Sequence, residues 1–234
     1  MPVWRSLLVI YPELELKFAE GWFRNQTLNF TIAQDEIDFA LNSYEAFPKL
    51  VSSLTQSQVT IESEIVVSDS PLKSLTHYGR GLRWPAPEDT SPQVEEHVSR
   101  RPVDSIFVLW PQNDSKSGSR IDSGGWGLGM GASPRSFGAT YAVVGNAEKW
   151  VWEIPTAGEV WLHEWLHGVC WFYSSIGYKM PDGDADGGER HGYVRSPITG
   201  WMDYYRDLMS ASVEEDGRLL GIPMGAWRIA PNKV

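Results

Sequence analysis

The residues whose types and spacing point most directly to chemistry are His163, Glu164 and His167, in the run Val160-Trp161-Leu162-His163-Glu164-Trp165-Leu166-His167. Side chains four apart on an α-helix share one face about one turn apart, so both imidazoles can reach a common ion. Neutral imidazole nitrogen suits Zn²⁺ at roughly 2.0–2.1 Å. Glu164 is displaced around the helix from both histidines, so it faces a water on that ion rather than the ion. There it would take a proton as the water attacks a polarised carbonyl. The HExxH pattern also arises by chance on amphipathic helices. Three features weigh against chance: the apolar helix that carries it, a strand just upstream, and further ligand types just downstream.

Zinc needs a third protein ligand if water is to occupy the fourth position. His191 is the expected one, being the only other histidine in the C-terminal half, past a bend rich in glycine (Gly183, Gly187, Gly188). Imidazole competes well for zinc at neutral pH. Asp182, Asp186 and Glu189 are the alternatives. Asp182-Gly183-Asp184-Ala185-Asp186-Gly187 also matches the first half of an EF-hand loop, but Tyr193 stands where the closing Glu belongs. A Ca²⁺ loop of another kind and a solvated acidic turn both remain open. Cys170 reads as a buried structural thiol, and His77 and His97 as surface residues.

HExxH behind such a strand resembles the zincin superfamily of metallopeptidases. The resemblance is detailed over the C-terminal half and rests on element order alone in the N-terminal half. It implies that Ala139 to Val144 would hold an extended substrate as an added strand. In the thermolysin-like branch a second helix supplies a Glu, for which Glu189 has poor helical surroundings. The metzincin branch uses HExxHxxGxxH, from which this chain departs: Cys170 replaces the glycine and Tyr173 the third histidine. A metzincin with an insertion before the third ligand would use His191. Trp201-Met202-Asp203-Tyr204 resembles the metzincin Met-turn, which makes Met202 the floor of the site and Tyr204 a candidate for steadying the oxyanion.

The elements that must position these groups are legible in part. Leu7–Tyr11 reads as a strand, Thr31–Gln56 as a long amphipathic helix kinked or restarted at Pro48, and Val59–Val67 as a strand. Ser70–Pro102 reads as an irregular excursion and Asn113–Gly138, with its SGGWGLGMGAS segment, as a loop. Its glycines lack the dinucleotide-binding spacing. Ser105–Trp110 and Ala139–Val144 read as strands. A Thr156-x-x-Glu159 capping box opens the helix from Gly158 to about Tyr173. The expected architecture is α+β and zincin-like: a mixed twisted sheet, a long backing helix, an active-site helix and an irregular C-terminal part. One catalytic domain covers 1–234, its upper part about 1–176 and its lower part about 177–234.

A net charge of −10 over 234 residues, with basic residues scattered, argues against nucleic acid. No apolar run approaches the ~20 residues needed to span a bilayer. One cysteine excludes an internal disulfide. Met1–Arg5 lacks a signal-peptide pattern, and the compartment stays open with secretion favoured. Twelve tryptophans are many. Trp150, Trp152, Trp161, Trp165 and Trp171 read as core or cleft wall, with carbohydrate stacking the lesser alternative. The expectation is a monomeric zinc metalloendopeptidase acting on protein or peptide. A non-peptidase zinc hydrolase and an inactive zinc- or carbohydrate-binding domain are the rivals.

Overall fold

The computed structural model describes residues 2–20, 24–153 and 155–233. In chain order it forms β1 (Val3–Ile10), β2 (Glu13–Glu20), β3 (Arg24–Thr31), α1 (Gln34–Leu54) and β4 (Thr60–Val67). Next come β5 (Thr76–His77), β6 (Arg83–Trp84), α2 (Pro87–Val98), β7 (Ser105–Trp110), β8 (Gly127–Met130) and β9 (Thr140–Gly145). The remainder is α3 (Lys149–Glu153), α4 (Glu159–Ser175), α5 (Met202–Leu208), β10 (Val213–Glu215) and β11 (Arg218–Leu220).

The main sheet is mixed, with strand order β4-β1-β7-β9-β8. All neighbours are parallel except β8, which runs antiparallel to β9 and forms the edge. Strand residues alternate between faces, and the central strands are apolar on both, as a sheet covered on both sides requires. Leu8, Ile10, Phe107, Leu109, Ala142 and Val144 join one core with α1 and α4. Leu7, Val9, Ile106, Val108, Tyr141 and Val143 join a second core with Val94 and Val98 of α2.

Burial rather than capping holds α1. Its N-cap, Ala33, makes no side-chain cap bond, and Pro48 lies inside the helix. An interior proline costs about 3 kcal/mol. Burying Tyr44, Phe47 and Val51 in the shared core offsets that, at about 1.5–3 kcal/mol for each large apolar side chain. The C-terminal part returns to the same core: the Trp227 ring stacks on Trp165 at 5.9 Å, and its carbonyl accepts the Trp4 indole N–H at 3.2 Å.

Several expectations need correction. Ser70–Pro102 contains α2, which starts on Pro87 in its first turn, where proline fits, and carries a second proline, Pro92, in its interior. The glycine-rich Asn113–Gly138 stretch contains β8. The capping box at Thr156 does not form: Gly158, at φ 88°, caps α4 without a side-chain bond, and Glu159 turns elsewhere. Trp150 and Trp171 are exposed, not core. Finally, β9 cannot accept an added strand, because β7 and β8 already pair both of its edges.

Candidate metal centre and cleft

Helix α4 puts His163 and His167 one turn apart, and their Nε2 atoms face each other at 3.3 Å. Asp186 reaches both from the following loop, with Oδ1 3.4 Å from His163 Nε2 and Oδ2 3.7 Å from His167 Nε2. Two donors each 2.0–2.1 Å from one tetrahedral ion stand roughly 3.3–3.4 Å apart. The Nε2 pair has that spacing, and one ligand atom from each of the three residues lies within 4.8 Å of the other two, so the cluster could hold a metal ion. Among the described residues this is the one such cluster of His, Cys, Asp or Glu.

The opposite nitrogens of both rings are also engaged. His167 Nδ1 lies 2.5 Å from Asp184 Oδ1, and His163 Nδ1 lies 2.8 Å from the Tyr205 hydroxyl. Partners of this kind fix the ring orientation and leave Nε2 as the free ligand atom. The loop that delivers Asp184 and Asp186 turns back at Gly183, at φ 85°, and closes through short 3-10 turns.

His191, the expected third ligand, lies elsewhere. Its Nε2 is 2.9 Å from the Asp182 carbonyl and 3.5 Å from Glu215 Oε2, and its ring lies parallel to Tyr204. That nitrogen is committed to a carbonyl on the far side of the loop. Tyr204, the expected oxyanion partner, is buried, and its hydroxyl donates to the Asp184 carbonyl. The residue beside it, about 100° around α5, is the one in the cleft: Tyr205. Met202 begins α5 and is buried in the core shared with α4. The three acidic residues of the EF-hand-like run do not converge. Asp182 pairs with Arg190 at 2.8 Å, Asp184 with His167, and Asp186 with the histidine pair. Glu189 lies in an exposed 3-10 turn.

A cleft of 630 Å³ runs past the centre, walled by β8 on one side and by α4, Arg195, Trp201 and Tyr205 elsewhere. Strand β8 lies directly against α4 because its inward positions are glycines. A Cβ at Gly127 would collide with the Glu164 carboxyl, and one at Gly129 with the Glu164 carbonyl and His167. The alternation of Gly127, Gly129 and Gly131 is a period-two signal hidden under a composition that reads as loop. Among the described residues the far edge of β8 is unpaired.

Electrostatics set the protonation states. Burial, then the charge of His167, pushes His163 down to about 4, so it is neutral at pH 7. Burial pushes Glu164 up to about 8 in the metal-free chain. Burial also opposes charge on His167, but the hydrogen bond and charge of Asp184, with Glu164 and Asp186 behind it, outweigh that and raise it. A divalent cation in the triangle would reverse the balance at Glu164, since it is the largest local charge.

These shifts give the metal-free protein a defined pH profile. His163 binds fewer protons folded than unfolded between about 4 and 6.5, so it adds stability as pH rises there. Glu164 keeps its proton when folded and loses it when unfolded between 4.5 and about 8, so stability falls across that window. His167 contributes stability below 6.5 that is lost as pH rises through its raised folded value. The first two oppose each other up to pH 6.5, and above it Glu164 and His167 act together. The melting temperature of chelated protein is therefore expected to fall between pH 6.5 and 8, and Glu164→Gln to flatten the fall. A rise over that range in thermal scans would contradict these protonation states.

Compared with known proteins, the chain matches no family model, and neither a curated protein nor a solved structure matches it significantly. No described helix is long and apolar enough to cross a membrane.

Proposed function

We propose that this chain is a zinc-dependent hydrolase of peptide bonds, with His163, His167 and Asp186 as metal ligands and Glu164 as general base. The observation that carries the reading is the convergence of three donors. The two Nε2 atoms stand 3.3 Å apart, and the Asp186 carboxylate brings one oxygen to 3.4 Å from His163 and the other to 3.7 Å from His167. One ligand atom from each residue lies within 4.8 Å of the other two. When bound, zinc would supply Lewis-acid polarisation of a carbonyl and acidify water. Glu164 lies buried in the cleft wall with its carboxyl against β8 at Gly127, and in this reading it would accept a proton and return it to a leaving amine. Asp184 and Tyr205 hold the two imidazoles in place.

A peptide substrate is favoured by β8. Its open edge offers backbone donors and acceptors along the cleft, where an extended chain can pair as a further strand. The substrate rail is thus assigned to Gly127–Met130 rather than to the interior strand β9. An aspartate as third ligand, and Tyr204 turned out of the cleft, take the chain away from the metzincin pattern. The broader zincin-like reading rests on the active-site helix and the edge strand over it.

The test is hydrolysis of an unfolded protein by zinc-loaded chain, by chelated chain, and by Glu164→Gln. Cleavage should require zinc, return when zinc is restored, and be lost in the variant. Absence of cleavage by the zinc-loaded chain, or cleavage indifferent to chelator, would sink the proposal.

A further inference from the structure

Arg195 lines the same cleft, and nothing in the hydrolytic scheme above uses it. Among the described residues its guanidinium has one acidic partner, Glu159 Oε2, at 3.8 Å. Glu159 is only 7% exposed. Its Oε1 accepts the Trp201 backbone N–H at 3.0 Å, while its Oε2 has no hydrogen bond. The backbone closes tightly over this carboxyl at Gly200, at φ 62°, where a Cβ would collide with it. A carboxylate held so far from water is stable as an anion only beside a cation. Glu159 thus draws Arg195 over the cleft. At 3.8 Å the pair is too long for a hydrogen bond, and the half-exposed guanidinium keeps its fork of donors open to the cleft.

We propose that Arg195, anchored by Glu159, binds a carboxylate of the substrate close to the bond that is cut, supplied either by an acidic side chain or by the chain terminus. This assignment rests on the peptide-hydrolase reading and adds a substrate class to it. Position follows from helix geometry. Glu159 and His163 are four residues apart on α4, or about 6 Å along its axis. An extended peptide advances about 3.3 Å per residue, so the carboxylate belongs to a residue one or two places from the scissile bond. A guanidinium fork recognises a carboxylate through two parallel N–H···O bonds, which an amide of the same shape cannot reproduce. Glu164 and Asp186 belong to the metal end of the cleft, where the ion they serve would offset their charge.

The experiment uses zinc-loaded Glu164→Gln protein, so that peptides bind without turnover, and reads affinity by calorimetry. The probes are blocked alanine hexapeptides carrying one Asp at each position in turn and their Asn counterparts. A hexapeptide with a free C-terminus and its amide complete the set. One Asp position, or the free terminus, should bind roughly 10- to 100-fold more tightly than its neutral twin. The Asp series and the terminus pair separate the two sources. Adding Arg195→Gln should abolish the difference. Adding Glu159→Gln, which retains an acceptor for Trp201, should shrink it. The added Arg195→Gln change also exposes a carboxylate that merely binds zinc, since that preference would survive it. Equal affinities throughout, or a preference that survives Arg195→Gln, would overturn the proposal. If the wild-type chain cuts none of these peptides or an unfolded protein while the preference is present and depends on Arg195, the hydrolase reading fails and Arg195 stands as the carboxylate site of a peptide-binding cleft.

Discussion

Asp186→Ala is expected to weaken zinc binding more than about 100-fold, whereas His191→Ala should stay within a few-fold of wild type. The first figure is set from below by partner residues that touch only a ligand, whose loss typically costs 10–100-fold in affinity. Asp184→Asn, which alters such a partner of His167, should fall in that intermediate range. The order is the reverse of what residue type suggests, because imidazole usually competes better for zinc than carboxylate does. Geometry decides otherwise: Asp186 oxygens lie 3.4 and 3.7 Å from the paired Nε2 atoms, and His191 Nε2 is taken up by the Asp182 carbonyl. Titration of all three variants against a chromogenic chelator gives the ranking. His191→Ala as the most damaging change would mean that the loop delivers a different ligand.

Glu164→Gln should retain zinc near wild-type affinity and lose about 10²–10⁴ of the hydrolytic rate, the usual cost of removing a general base. The amide keeps the size and packing of the side chain against Gly127 but cannot accept a proton. Its two readouts separate base from ligand: zinc content should hold while kcat falls. Turnover at the wild-type rate would remove Glu164 from the mechanism. Loss of zinc together with rate would make it a ligand instead.

How much of this could be read from the sequence depended on how local the signal was. The His163–His167 pair was legible because a spacing of four is itself helix geometry. The interior strands were legible as apolar runs, and α1 as a long apolar periodicity. The strand β8 was obscured because glycine is a poor strand former in isolation. Only the packing of α4 against Gly127, Gly129 and Gly131 makes glycine the residue that fits there. The third ligand was obscured by loop closure. Whether position 186 or 191 folds back over α4 depends on the turn at Gly183 and on which partner captures each side chain, and spacing encodes neither. Tyr204 and Tyr205 differ by one step of about 100° around a short helix, and that phase is set by burial of Tyr204 beneath the loop carrying Asp184. Arg195 and Glu159 are 36 residues apart in sequence and meet only because Gly200 lets the chain close over α4.

The central claim is that one zinc ion is held by His163, His167 and Asp186. Anomalous diffraction recorded on either side of the zinc edge, from crystals of the zinc-loaded protein, tests it most directly. A single strong peak is expected about 2.0–2.2 Å from both Nε2 atoms and from an Asp186 oxygen, with His191 left on the Asp182 carbonyl. A peak coordinated by His191 in place of Asp186, or no peak between His163 and His167, would contradict it.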